Sequence, residues 1–263
     1  MEWLLYLATG FIGGLLSGMF GIGGGVIVVP ILAMLFTSLH FSPDHIMHLA
    51  VGTSLATIIV NSISSTRAHH RNKNVNWTIF RHMAPAGVVG AIFATWLASH
   101  IHSDGLKLLF AIFECAIALH LFLDRLPHKH GEFTSKPGLY AFGGAVGMFS
   151  SLLGIGGGTV SVPFLIYGTR DVRAAIGTAA ALGLPLSVVG ALGYAISGTG
   201  IQDLPSPSLG YVYLPAMIGI ALAGFFGAPL GVKLAQRLPV HALKKCLAVL
   251  LFLLGLKMGW SLL

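Results

Sequence analysis

Four long blocks of the chain contain no Asp, Glu, Lys or Arg: residues 3–43, 137–169, 174–202 and 204–232. A helix that crosses a bilayer needs about 20 largely apolar residues, so each block has room for at least one crossing. Glycine clusters and short polar stretches divide the blocks further. The pattern predicts ten helical segments. The first five are 3–20, 25–39, 45–66, 78–99 and 105–123. The second five are 138–153, 159–169, 172–197, 209–232 and 241–262. Segments 25–39 and 159–169 are short for a crossing and suit re-entrant half-helices. The expected fold class is an all-α polytopic membrane protein.

The segments repeat. Residues 17–32 read SGMFGIGGGVIVVPIL and residues 150–165 read SSLLGIGGGTVSVPFL. GIGGG, four residues and then Pro recurs at a displacement of 133 positions. Gly52-Thr53-Ser54 is answered by Gly177-Thr178-Ala179, and residues 87–91 (GVVGA) by 224–228 (GFFGA). Three matches in the same order read as a duplication. The halves are 1–127 and 137–263, joined by a polar linker loop at 128–136.

Composition narrows the class. The chain has 263 residues, 55% of them hydrophobic and only 9% charged. A soluble domain carries roughly a quarter charged residues. The first block lacks a basic n-region and runs far beyond a signal-peptide core, so it is expected to stay in the mature chain. No soluble domain is expected beside the membrane segments. The two cysteines, Cys115 and Cys246, lie in apolar runs and form no CxxC pair. The formal charge of +7 suggests cytoplasmic loops beside anionic lipid rather than nucleic acid.

Thirteen of the 15 basic residues fall in four of the loops, including Arg67, Arg71, Lys73 and Arg81, Arg125 and Lys129, Arg170 and Arg173, and Lys233 and Arg237. The loops around 40–45, 100–107 and 198–208 hold Asp44, Asp104 and Asp203 and a single Lys, Lys107. The positive-inside rule puts the first group in the cytoplasm and the second outside. Counterpart helices then cross in opposite directions, which makes the halves inverted repeats, an arrangement found in many secondary transporters. Both termini are expected outside a bacterial inner membrane.

The duplicated glycines are candidate chemistry. Gly21, Gly23, Gly24 and Gly25, and Gly154, Gly156, Gly157 and Gly158, break a helix and leave backbone N–H groups without side-chain cover. Inside a membrane such groups must face protein or a wet cavity. The helix after each turn points its positive N-terminal dipole there, which is an anion-binding arrangement. Thr159 is placed to cap the second of these helices. Close packing of backbones is the competing use of the same glycines. Neither turn is a dinucleotide fingerprint, because Val26 and Thr159 stand where its third Gly belongs.

On these residues the chain resembles the TauE/SafE family of sulfite exporters and related anion permeases. The carriers are the duplicated GIGGG-x4-P and Gly52-Thr53-Ser54. The resemblance implies movement of sulfite, sulfonates or other small sulfur-containing or organic anions. Ala179 departs from the pattern and removes a hydroxyl from the second half.

Other polar residues stand beside these as candidates. Thr53, Thr57 and Asn61 share a stripe, with Ser54 adjoining, that lines a substrate path or bonds neighbouring helices. Thr178 is the counterpart of Thr53. Glu114 is the one acid well inside an apolar run, a candidate for proton coupling. His69, His70, His128 and His130 are expected in solvated cytoplasmic loops without metal, and His48 and His120 are weaker relay candidates. The leading reading is an exporter of a small anion; the runner-up is proton-coupled uptake of organosulfonates or carboxylates. An intramembrane enzyme would need HExxH or a nucleophile with a base, and neither is evident. No cofactor is implied. The partners implied are the anion and the lipid bilayer, not nucleic acid, with room for a homo-oligomer.

Overall fold

A computed structural model describes residues 2–21, 23–123, 136–169, 171–235 and 240–261. Arg125, His128, Lys129, His130, Arg170 and Arg237 lie outside the described residues, as do the side chains of Lys244 and Cys246. Among the described residues there are ten α-helices: α1 Glu2–Phe20, α2 Gly25–Ser38, α3 Ile46–Arg71, α4 Trp77–Ala98, α5 Ser103–Leu123, α6 Lys136–Leu153, α7 Gly158–Thr169, α8 Val172–Ser197, α9 Leu214–Ala235 and α10 Val240–Trp260. A two-residue pair, β1 Ser208–Leu209 with β2 Val212–Tyr213, precedes α9. The expected helix 209–232 therefore starts late, because Pro207 and the positive φ of Gly210 make a turn there.

The surface is that of a membrane protein. Large apolar side chains face outward along α1 (Leu4, Phe11), α4 (Val89, Phe93), α9 (Leu222, Phe226) and α10 (Leu253, Leu256). Thr53, Ser54, Asn61, Ser65 and Glu114 are buried instead. All four tryptophans, Trp3, Trp77, Trp96 and Trp260, are exposed near helix ends, where an aromatic belt meets the membrane–water boundary. Among the described residues four helical stretches are long and apolar enough to span: Glu2–Phe20, Pro43–Arg71, Val172–Ser197 and Leu214–Ala235. At 1.5 Å per residue α2 and α7 reach only about 21 and 18 Å, short of a core of about 30 Å.

Small residues set the packing. Gly10, Gly14 and Gly18 of α1 lie on Ile220, Gly224 and Ala228 of α9, so the two helices run parallel at backbone contact. Gly143 and Gly147 of α6 meet Met83 and Gly87 of α4 in the same way. At the centre α3 and α8 cross antiparallel, with Gly52 against Tyr194, Leu55 against Gly190 and Ser62 against Gly183. On the flank α5 and α10 are antiparallel too, with Cys115 beside Gly255 and Lys107 reaching the Ser261 carbonyl (3.5 Å). Each pairing has its counterpart five helices along: α1 on α9 answers to α6 on α4, and α2 on α3 answers to α7 on α8.

α3 runs five residues beyond the expected end at 66. Arg67, Arg71 and both histidines belong to the helix rather than to a loop. His69 is buried, with Nε2 3.1 Å from the Gly18 carbonyl, which corrects the expectation of a solvated ring. His70 is exposed and accepts from the Trp77 indole N–H (3.3 Å).

Candidate functional site

Both glycine turns have the same backbone. Gly21, Gly23 and Gly24 have φ of 68, 73 and 79°, and Gly154, Gly156 and Gly157 have 71, 74 and 77°. Only glycine adopts this left-handed region at little cost, so the composition of the turn follows from its shape. Gly24 caps α2 without any side-chain hydrogen bond. α7 begins at Gly158, and the hydroxyl of Thr159 has no hydrogen-bond partner among the described residues, so Thr159 does not cap the helix. The opening N–H groups of a helix lack intrahelical acceptors by geometry. At Gly24 no side-chain hydrogen bond caps them.

The two turns meet. A Cβ built on Gly23 would lie 3.2 Å from the Cα of Gly156, and one on Gly156 would lie 3.3 Å from the Cα of Gly23. Gly25 abuts the Gly154 carbonyl. The side chain of Ile58 on α3 touches both turns, and Gly183 on α8 lies beside the Gly156 carbonyl. Thus α2 and α7 start from one point at the α3–α8 crossing.

The remaining predicted residues divide around this point. Ser54 joins it, since its hydroxyl donates to the Gly154 carbonyl (2.8 Å). Thr53 and Thr178 are occupied elsewhere. The Tyr213 N–H donates to Thr53 Oγ1 and the Asn76 N–H to Thr178 Oγ1, both at 2.9 Å, tying α3 and α8 to the segments that open α9 and α4. Asn61 is fully buried against Gly224 of α9, and neither amide atom has a partner among the described residues. Glu114 lies apart, on the face of α5 toward α10 near Gly255, also buried and without a partner among the described residues. Among the described residues no cluster of three or more His, Cys, Asp or Glu side chains can hold a metal ion.

Sequence reasoning missed the hydroxyls around the second turn. Ser150, Ser151 and Ser161 are wholly buried, without hydrogen-bond partners among the described residues. Ser150 Oγ lies 3.6 Å from where a Cβ on Gly157 would stand. Their counterparts are Ser17, Gly18 and Val28, so the second turn is the richer in polar groups. The repeat alignment itself carried that signal.

Comparison with known proteins agrees with this architecture. The sequence profile described as "Sulfite exporter TauE/SafE" matches residues 6–258. A "Probable membrane transporter protein" of Haemophilus influenzae is 35% identical over 259 residues, covering 97% of each chain. Another of that description, from Methanocaldococcus jannaschii, is 32% identical over 257 residues, covering 97% of this chain and 94% of its own. A third, from Bacillus subtilis, is 25% identical over 279 residues. No solved structure matches significantly. A multi-pass helical protein with an apolar exterior is a transporter on these matches, not an enzyme, and the chain belongs to the sulfite exporter TauE/SafE family of membrane transporters.

Proposed function

We propose that this chain exports sulfite or a related small sulfur-containing or organic anion across a bacterial inner membrane, binding it where the two glycine turns meet. The observation that carries the reading is that pair of turns in contact, each opening a short helix, the first of them with no side-chain cap at Gly24. Two positive helix ends directed at one point favour an anion. Gly21, Gly23, Gly24, Gly25, Gly154, Gly156, Gly157 and Gly158 build the site; Ser54 fixes the second turn; and Ser150, Thr159 and Ser161 add hydroxyls.

The site belongs to two inverted repeats, 1–127 and 137–263, joined by the cytoplasmic linker 128–136. The antiparallel courses of the counterparts α3 and α8, and of α5 and α10, support inversion. In this reading Arg71 and Lys73 face the cytoplasm, Asp104 and Asp203 face outward, and both termini lie outside. Export suits the scarcity of buried acids. A monovalent anion leaving a negative-inside cell gains roughly 2.3 kcal/mol per 100 mV, so no coupled ion is needed.

The test is flux of sulfite from proteoliposomes containing the purified protein alone, driven by an imposed potential. Potential-driven flux that saturates with sulfite supports the reading. Flux that requires an inward proton gradient would favour the alternative, coupled uptake through Glu114.

A further inference from the structure

Over its middle turns α3 is polar where α8 is not. At intervals of four residues α3 carries Thr53, Thr57, Asn61, Ser65 and His69, all buried. Side chains four apart on a helix are neighbours, so these form one slanting row. The counterpart positions on α8 are Thr178, Leu182, Leu186, Gly190 and Tyr194. The packing around the rows is equivalent: Asn61 fills the space left by Gly224 of α9, and Leu186 fills the space left by Gly87 of α4.

Thr53 Oγ1 accepts from Tyr213 N–H, and Thr57 donates to the Ser54 carbonyl. The next three residues leave polar atoms unpartnered. Asn61 Oδ1 and Nδ2, Ser65 Oγ and His69 Nδ1 are buried with no hydrogen-bond partner among the described residues, as is Thr66 Oγ1 beside them. A buried polar group without a partner is costly, so a run of them on three successive turns needs an explanation other than stability. His69 stands at the end of the row, with Nε2 on the Gly18 carbonyl of α1. Beyond it Arg67, His70, Arg71 and Lys73 are exposed, with Lys233 at the end of α9. A basic rim concentrates anions at the mouth of such a seam.

We infer that the seam between α3 and the α1–α9 pair is one half of the permeation path, along which Asn61, Ser65 and His69 hydrogen-bond a monovalent oxyanion between the basic rim and the glycine turns. Asn61 and Ser65 offer N–H and O–H donors to the anion's oxygens. His69 Nε2 faces a carbonyl and so carries its hydrogen, which leaves Nδ1 to accept from the hydroxyl of a singly protonated oxyanion. The row holds no fixed charge, which suits a monoanion better than a dianion. This inference rests on the anion-transport reading for its ligand but not for its geometry.

The test separates the two. In a Cys115→Ser, Cys246→Ser background, Ser65→Cys and Leu186→Cys are exposed to the anionic thiol reagent methanethiosulfonate ethylsulfonate from each face of the membrane in turn, with Arg71→Cys marking the basic face. Reaction of Ser65→Cys from the Arg71 face, at least tenfold faster than Leu186→Cys, is the expected result. Equal or absent reaction overturns the inference, whatever anion the protein carries. Flux supplies the second arm. Asn61→Leu places the second half's residue in an equivalent niche, so thermal stability should hold or rise while sulfite flux falls at least tenfold. Wild-type flux in that folded variant overturns the path. Should Asn61→Leu fail to fold, Ser65→Ala is read by the same criterion. Labelled Ser65→Cys together with no sulfite flux in the wild-type protein leaves the path standing and removes sulfite as its cargo.

Discussion

Replacing Gly157 with alanine separates the glycine turns as an anion site from the glycine turns as packing. Gly24 and Gly157 are counterparts with nearly the same φ, 79 and 77°. A left-handed non-glycine residue costs about 1–2 kcal/mol, and both variants carry that cost. Their surroundings differ. A Cβ on Gly24 would collide with the backbone of Gly13, with the carbonyl carbon at 2.8 Å and the Cα at 3.2 Å. Backbone inside a helix has little freedom to yield, and overpacking adds about 1–3 kcal/mol. On Gly157 the same Cβ would meet only side chains, Leu186 Cδ1 at 3.1 Å, Val146 Cγ1 at 3.2 Å and Ser150 Oγ at 3.6 Å, which can shift by tenths of an ångström. Gly24→Ala should therefore lose about 2–5 kcal/mol and Gly157→Ala about 1–2 kcal/mol. The milder variant is the informative one. If its new methyl blocks one hydrogen bond to the anion, worth about 1.5–3 kcal/mol, binding falls roughly 10- to 100-fold. The assay is thermal unfolding of both detergent-purified variants beside sulfite flux in proteoliposomes. A folded Gly157→Ala with wild-type flux would refute the site at this turn. Equal destabilisation of the two variants would refute the packing argument.

Three further outcomes follow from the same geometry. Ser54→Ala removes the hydroxyl that donates to the Gly154 carbonyl and leaves that carbonyl buried, so unfolding measurements should show a loss of about 1–3 kcal/mol and flux should drop with it. Glu114 is buried on α5 without a partner among the described residues, and Glu114→Gln should keep flux driven by potential alone; its loss in vesicles would contradict uncoupled export. Single cysteines at Arg71 and Lys73 should label from the cytoplasmic face and those at Asp104 and Asp203 from the outer face; a shared face would break the inverted arrangement.

The segment pattern was legible because lipid selects for it: long uncharged blocks became helices, and the glycine clusters became breaks. Helix ends were less legible where hydropathy and helicity part company. Arg67 and Arg71 made residues 67–71 read as solvent loop, yet the helical hydrogen bonding of α3 continues through them. His69 was misplaced for that reason, although its spacing of four from Ser65 and eight from Asn61 was visible in the sequence. The partners of Thr53 and Thr178 were not legible at all. Tyr213 and Asn76 are 160 and 102 residues away, and only the folded chain brings their N–H groups to those hydroxyls.

Duplication explains the scaffold, and divergence explains where its chemistry can lie. An inverted pair that remained identical would offer a permeant ion the same lining from both faces. In this chain the shared features are those that set backbone geometry: six glycines with positive φ, and Thr53 and Thr178 each holding the start of another helix. The features that differ are polar and buried. Asn61 stands opposite Leu186, Ser65 opposite Gly190, Ser54 opposite Ala179, and Ser161 opposite Val28. A buried polar group confers no stability unless it is bonded, so drift alone tends to replace it with an apolar residue of similar size. An apolar residue stands at Leu186, in a niche equivalent to the one Asn61 fills. The polar atoms of Asn61, Ser65 and His69 on one side, and of Ser150, Ser151 and Ser161 at the second turn, left without partners among the described residues, suit the proposed path if it changes walls at the crossing of α3 and α8. On that proposal it follows α3 from the basic rim to the turns, and beyond them it turns to the α6–α7 side. Transplanting the row tests this directly. Leu186→Asn with Gly190→Ser should leave flux unrestored in an Asn61→Leu, Ser65→Ala background, because α8 faces the α4–α6 pair and not the seam that opens beneath Arg71.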